Sequence, residues 1–401
     1  MTLPKAVEKA VEKSVKRAVT APPPPPKVTL ADVERLVRFD GHGARVLSAY
    51  LDLDPERQPT RSYRIVFEDL VKAARDGLDK AARVELQAEA AKVQAWLEAR
   101  PPSGLGLAIF SSMPADLWQA WFLSVPVPDR LSYEAHPLVV PLLSLIEDHQ
   151  RYVVAVVDKE SARLLTVFEG VIESRQAFTD FVPGKHDQGG PAQPRYQRHH
   201  ETHVLWHVKR VAQRLSELLR NRDFDRLIVA GPEEATTELR EQLPHELQRR
   251  LVATVPAEMD AGDAVILRMT QQIEQRVERD SEAGLVAELI DAWKANGSAA
   301  CGLAPTLEAL YLRQVRTLVI AEGQTLAGSE CPVDSRLEPG RPEECQTCGT
   351  EMTPVGDVID RAAQQTLEQD GHVEIVQEAA AERLRAECDG VGAVVRFRLH
   401  G

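Results

Sequence analysis

Apolar residues change period several times along the chain, and each change marks an element. Leu3, Val7, Val11, Val15 and Val19 recur at every fourth position among lysines and glutamates, the spacing of a weakly amphipathic helix. Pro22–Pro26 follow as a stiff extended spacer, so residues 1–27 read as a detached tail, with partner docking as the alternative. Residues 28–148 predict an α/β domain. There "ARVLSAYLDLD" alternates as a strand, Tyr63 to Arg100 is a long helical region, and "GLGLAIFSS" and "WQAWFLSV" read as buried strands. In residues 149–256, "RYVVAVVDKESARLLTVFEGVIESRQAF" predicts three short strands with a turn at Asp158–Ser161. A polar loop, a helix from Arg195 to Arg220, and strand, turn and helix in "DRLIVAGPEEATTELREQL" follow. Residues 257–401 predict helices Asp263–Arg279 and Leu285–Asn296, then helix and strand in "LEALYLRQVRTLVIAEG". An irregular cysteine-bearing insert at 324–354 precedes a helix Val355–Glu368, the strand "HVEIVQ", a short helix and the closing strand "GVGAVVRFRL". The expected fold class is multidomain α/β.

Composition narrows the function classes. The 401 residues suffice for two to four domains, and 43% hydrophobic content can fill several cores. No apolar run approaches the roughly 18–20 residues that cross a bilayer, and the N-terminus lacks the continuous apolar stretch of a secretory signal. The expectation is a cytoplasmic protein without membrane contact. A net charge of −13 argues against bulk nucleic-acid binding. Yet Lys185, Arg195, Arg198, Lys209 and Arg210 gather in one strip, which is either an address for a polyanion or a solvated helix face. Of the cysteines, Cys301 and Cys388 stand alone, whereas Cys331, Cys345 and Cys348 cluster. Such an odd set favours metal over disulfides and fits a reducing compartment.

Cys345-Gln-Thr-Cys348-Gly349 is one half of a zinc knuckle, since two intervening residues let both thiolates face one tetrahedral ion. In the other half, Cys331-Pro-Val-Asp334, a carboxylate holds the second cysteine's position. Cys331, Asp334, Cys345 and Cys348 are therefore candidate ligands of a structural zinc. The alternative is a knuckle that has lost a ligand and become an ordinary loop. No histidine is near in sequence, which disfavours a catalytic ion.

The loop "GKHDQGGPAQPRYQRHHETH" opens with glycines that permit close backbone approach to a ligand. It matches neither a phosphate-binding nor a dinucleotide-binding glycine pattern. His199, His203 and His207 share one helix face at four-residue spacing, either a metal site of a nuclease or imidazoles among arginines facing phosphates. Gln193 cannot act as a general base at neutral pH, but its amide can orient a water and hold an oxyanion. That chemistry suits an already activated ester.

Three stretches resemble the archaeal and eukaryotic class-one peptide-release factors and the ribosome-rescue protein Pelota, in the form of their bacterial relatives. "RYVVAVVDKESARLLTVFEG" resembles the opening hairpin of their central domain, "GGPAQPRYQRHHETH" their Gly-Gly-Gln loop and following helix, and "GVGAVVRF" the closing strand of their third domain. The likeness spans about Gln150–Leu399 and is weaker before it. It implies a ribonuclease-H-like mixed-sheet central domain and a C-terminal α/β/α sandwich interrupted by the zinc-knuckle-like insert. It also implies a factor that hydrolyses the peptidyl-tRNA ester on the ribosome, with Gly189 and Gly190 as the bending tip and Gln193 positioning water. The basic strip would bind RNA, Arg195 and Arg198 at phosphates. Ribosome, rRNA and peptidyl-tRNA are the implied partners, and a translational GTPase is a further candidate. Two departures matter. Pro191 and Ala192 separate the glycines from Gln193, and no Asn-Ile-Lys-Ser stretch of the kind that reads stop codons occurs in the first domain. Codon-independent rescue is therefore expected, with non-catalytic occupation of idle ribosomes as the alternative.

Overall fold

The computed structural model describes residues 28–57, 62–147, 151–168, 170–180, 193–221 and 224–397. In chain order the first elements are α1 (Leu30–Val37), β1 (Val46–Asp52), α2 (Tyr63–Ala74), α3 (Lys80–Ala99), β2 (Gly106–Ser112), β3 (Leu117–Leu123), β4 (Arg130–Glu134) and α4 (Val140–Glu147). Next come β5 (Tyr152–Val157), β6 (Ser161–Phe168), β7 (Val171–Thr179), α5 (Gln193–Arg220), β8 (Arg226–Ala230), α6 (Glu233–Gln242), α7 (His245–Arg250) and β9 (Leu251–Val255). The remainder is α8 (Asp263–Lys294), β10 (Ala299–Cys301), α9 (Leu303–Tyr311), β11 (Val315–Ala321), β12 (Gly328–Glu330), β13 (Leu337–Pro339), β14 (Thr353–Val355), α10 (Val358–Glu368), β15 (His372–Val376), α11 (Glu378–Cys388) and β16 (Val391–Val395). They form two compact units, one made of the chain up to Glu147 together with Glu282 onward, the other of Asp148–Ser281.

In the first unit an antiparallel sheet, ordered β3-β2-β1-β4, is covered on both faces, which is why all of β1 is buried. Leu47, Ala49 and Leu51 meet Phe67 of α2 and Leu86, Val93 and Trp96 of α3. Val46 and Tyr50 face a core shared with α1, α4 and a second sheet, ordered β10-β16-β11-β15. Alternation along β11 splits that second sheet between two layers of helices. Leu318 and Ile320 pack with Leu310 of α9 and Ile359 of α10, whereas Val319 and Ala321 pack with Leu289 of α8 and Leu384 of α11. The first and last segments of the chain, expected as separate domains, thus share one core.

Several sequence expectations change. The long helical region breaks at Gly77, whose φ of +84° only glycine adopts without strain, and Asp79 caps the new helix by accepting from Ala82 N at 2.9 Å. The two helices expected between Asp263 and Asn296 are one, α8. Its apolar period falters because the buried side moves round the helix: Ile266 packs with Tyr152 and Val154, whereas Leu289, about 140° away around the axis, packs with Val319. Residues 257–281 accordingly belong with the central sheet, not with the C-terminal one. Helix α10 starts at Val358 instead of Val355, because Val355 pairs in β14 and Asp357 caps the helix.

Cys301 and Cys388 do not stand alone. They form a disulfide across 87 residues, because Cys301 pairs with Gly392 in the sheet and Cys388 ends the helix leading into that strand. Cysteine usage therefore no longer argues for a reducing compartment. Among the described residues, no helix is long and apolar enough to cross a membrane.

Asp360 is the polar key of the shared core. Its Oδ1 accepts from Val139 N at 2.9 Å and Val140 N at 2.8 Å, and its Oδ2 from Gln364 Nε2 at 2.6 Å. Arg130 meanwhile pairs with Asp357. Burial pushes the Asp360 carboxyl up to about 7, further raised by Asp357 and opposed by the Val140 N–H. Because this value exceeds the ordinary pKa of about 3.9, the native state holds a proton that the unfolded chain releases. Stability should fall as pH rises from about 4 to about 7 and level off above. Replacement Asp360→Ala should remove that slope and cost about 2–4 kcal/mol by orphaning two backbone N–H groups, as read by urea unfolding at several pH values.

Candidate functional site: the base of the glycine loop and the cysteine cluster

The central unit is a mixed sheet ordered β7-β6-β5-β8-β9, antiparallel on the β7 side and parallel from β5 to β9. Helix α5 lies on one face. Val204, Val208, Val211 and Leu215, at three- and four-residue spacing, pack with Val153, Ala155 and Leu164. Gln193 is the first residue of this helix. Residues 181–192, with Lys185, Gly189 and Gly190, lie outside the described residues, as do the side chains of Gln193, Arg195, Arg198 and His199.

The base of the loop is a polar clamp built on Asp180, directly after β7. Its N–H donates to Glu160 O at 2.7 Å, its Oδ2 lies 2.8 Å from His207 Nδ1, and its Oδ1 accepts from Arg210. The Phe178 ring lies under both partners, 5.3 Å from the Arg210 guanidinium and 6.0 Å from the His207 ring. Burial alone would raise the Asp180 pKa. The His207 hydrogen bond and the Arg210 charge outweigh it, and the carboxyl sits below its ordinary range. The strand entering the loop and the helix leaving it are thereby joined through side chains about four and five turns into the helix.

This clamp corrects two expectations. His207 is 1% exposed with Nδ1 engaged, so it shares no open face with His203, either for a metal or for phosphates. Arg210 is occupied by Asp180 and Arg214 pairs with Glu217 at 2.5 Å, which leaves Lys209, exposed and without an ion pair among the described residues, as the unengaged cation of that segment. Asp180 escaped the sequence reading because a single carboxylate at a strand end carries no period or motif. Trp206, 63% exposed on α5, escaped because the surrounding charges drew attention from it.

In the first unit, Cys331, Asp334, Cys345 and Cys348 converge, one ligand atom from each lying within 4.8 Å of the others. The two halves repeat one turn: Ser335 N donates to Cys331 O at 3.0 Å and Gly349 N to Cys345 O at 2.9 Å, with φ of +58° and +70° at these two residues. Asp334 thus stands where Cys348 stands in the other half. The Cys331–Cys348 Sγ separation of 3.5 Å and the Cys345 Sγ–Asp334 Oδ2 separation of 3.6 Å approach the edge of about 3.8 Å expected for four ligands around an ion at about 2.3 Å. Burial, with the neighbouring Asp334, pushes the Cys331 thiol up to about 12. The cluster can bind a metal ion. Strands β12, β13 and β14 carry it, and Gln365 Nε2 donates to Ser335 O at 2.8 Å, fastening it to α10.

Residues 137–275, which include the clamp and the glycine loop, match the family model for bacterial archaeo-eukaryotic release factor family 10. Peptide chain release factor subunit 1 of Methanobrevibacter smithii is 23% identical over 411 residues, covering 92% of this chain and 96% of that protein. Its Archaeoglobus fulgidus counterpart is 23% identical over 92% of this chain and 97% of its own. Over residues 137–275 the chain is thus similar to a bacterial family of release-factor relatives, and over most of its length to archaeal release factor subunit 1. Among solved structures, the crystal structure of the archaeal translation termination factor aRF1 covers 92% of this chain and 99% of its own at 17% identity, with a TM-score of 0.26. A model of ribosome-bound archaeal Pelota and ABCE1 covers 94% and 96% at 14% identity, with a TM-score of 0.42.

In this chain, Asp180→Ala should release the loop base. Amide exchange at residues 178–180 and 203–210 should accelerate relative to the rest of the central unit. Because the folded pKa of Asp180 is lowered, the clamp should be complete at neutral pH and lost as pH falls through that value, below the ordinary carboxylate range of about 3.9. Protection factors of these amides, which are corrected for the intrinsic pH dependence of exchange, should then fall in the wild-type chain at low pH toward those of the variant at neutral pH.

Proposed function

We propose that this chain is a release or rescue factor that enters the ribosome without reading a codon and hydrolyses the ester joining peptide to tRNA. The observation that carries this reading is the position of Gln193, at the start of a helix clamped through Asp180 and directly after Gly189-Gly190-Pro191-Ala192. A clamped helix can present a neutral amide, together with loop N–H groups, to a water that attacks the ester carbonyl. The ester C–O bond breaks, the peptide leaves as an acid, and the tRNA keeps its 3′-hydroxyl. Gln193 takes no proton in this scheme; it orients. Its partners are the ribosome, rRNA and peptidyl-tRNA, with a translational GTPase as a delivery partner, and the work is cytoplasmic. The strand order of the central sheet supports a ribonuclease-H-like reading of that unit, and helices on both faces of the second sheet support an α/β/α sandwich.

We also assign the Cys331, Asp334, Cys345 and Cys348 cluster to a structural zinc. Three thiolates and a carboxylate on two matched turns fit a closed tetrahedral site, and an ion supplies cohesion that this small insert, with a core of little beyond Cys331, Cys345 and Met352, lacks. Metal analysis of the purified chain should find about one zinc per molecule, and Cys345→Ser should lose it. An unchanged metal content in that variant would remove the assignment.

A second reading has its own observation in favour. Pro191 and Ala192 lengthen the path from the glycines to Gln193, and a factor with this spacing could occupy the ribosome without catalysis. Peptide release from stalled complexes separates the two. Gln193→Ala should lower the release rate by about 100-fold or more, the scale of losing one oriented oxyanion or water contact, and leave ribosome co-sedimentation intact. Wild-type binding without any release selects the second reading.

A further inference from the structure

We propose that Trp206 is a stacking platform for an unpaired RNA base, with Lys209 beside it for the adjoining phosphate. This inference rests on the reading of the chain as a ribosome-binding factor and names a side chain for it. Helix α5 turns about 100° per residue. Val204, Val208, Val211 and Leu215 define its buried side, and Trp206 lies about 200° away from Val204, at the centre of the outward face. Its neighbours on that face are Thr202, Lys209, Arg210 and Gln213, all exposed. A lone indole, 63% exposed in the middle of a polar helix face, contributes nothing to the core. The His203 ring meets it edge-on at 5.5 Å.

The chemistry of the face selects the occupant. Among the described residues, Leu205, 37% exposed, is the sole large exposed apolar neighbour along the helix, so the patch is too small for a protein hot spot ringed by apolar contacts. An aromatic plane next to a cation without an ion pair is the pair of groups that holds single-stranded nucleic acid, because every base offers a π-face and every linkage a negative charge. Thirteen residues of helix separate Trp206 from Gln193, about 20 Å along the axis at about 1.5 Å per residue. A base held there would fix the depth to which the helix start can enter an RNA cavity.

The test is the affinity of the full chain for vacant ribosomes, compared for wild type, Trp206→Ala, Trp206→Leu and Trp206→Phe. Trp206 lies on the surface, so all three variants should fold. Loss of one stacked base should weaken binding about ten-fold in the Ala and Leu variants, and Phe should restore it to within about three-fold. Lys209→Ala should lower the slope of log affinity against log salt by about one. Equal affinity in all four chains overturns the proposal. Full affinity in the Leu variant also overturns it, because an apolar protein contact would then suffice. If the wild-type chain fails to bind ribosomes, the ribosomal reading falls by itself, and single-stranded oligoadenylate decides the platform. Quenching of indole emission that disappears in Trp206→Phe supports stacking, and identical quenching in both chains refutes it.

Discussion

A single carboxylate governs the central unit. Asp180 ends the strand that leads into the glycine loop, and it holds His207 and Arg210 of the helix that leads out. Helix packing alone would fix α5 against the sheet through Val204, Val208 and Val211, but not the phase of the strand end relative to it. The clamp supplies that phase with charge-assisted bonds to two side chains on adjacent turns, over an aromatic floor at Phe178. A catalytic group without a titratable proton can contribute only through position. A loop whose ends are tied needs fewer additional contacts to hold its tip in one place, since part of the closure entropy is already spent at the base.

The other unit rests on the same kind of device. Asp360 and the Arg130–Asp357 pair join the N-terminal sheet to the helix layer of the C-terminal sheet, and the core around Tyr50, Leu142, Ile320 and Ile359 closes over them. The cysteine cluster hangs from this layer through Gln365 and through Arg361, which bonds Glu330 at 3.0 Å. Its two turns are copies in backbone geometry, although one ends on the Asp334 carboxylate and the other on the Cys348 thiol. The short strands around it contribute little apolar burial of their own, so the cluster depends on its attachment to α10.

Local pattern was legible where one period dominates. The strands from Tyr152 to Thr179, the run of α5, the strand at β11 and the convergence of Cys331, Asp334, Cys345 and Cys348 all follow from alternation, helical spacing or the two-residue gap within each half of the knuckle. Illegible were the features set by distant contacts. The Cys301–Cys388 bond depends on a strand pairing that closes only when β16 is in place. The continuity of α8 was hidden because its two halves bury different sides of the helix. His207 read as an open-face imidazole because its partner, Asp180, is 27 residues away in sequence. Trp206 is the opposite case: an apolar residue placed where helical phase calls for a polar one, visible in the sequence once the buried side of α5 is known.

The most direct measurement is an electron-microscopy map of the full chain on a ribosome carrying peptidyl-tRNA. The start of α5 is expected inside the peptidyl-transferase cavity, with the Gln193 amide within one water of the ester carbonyl and the Asp180 clamp intact behind it. A map that seats the chain with the start of α5 outside that cavity, or with Gln193 turned away from the ester, contradicts this arrangement.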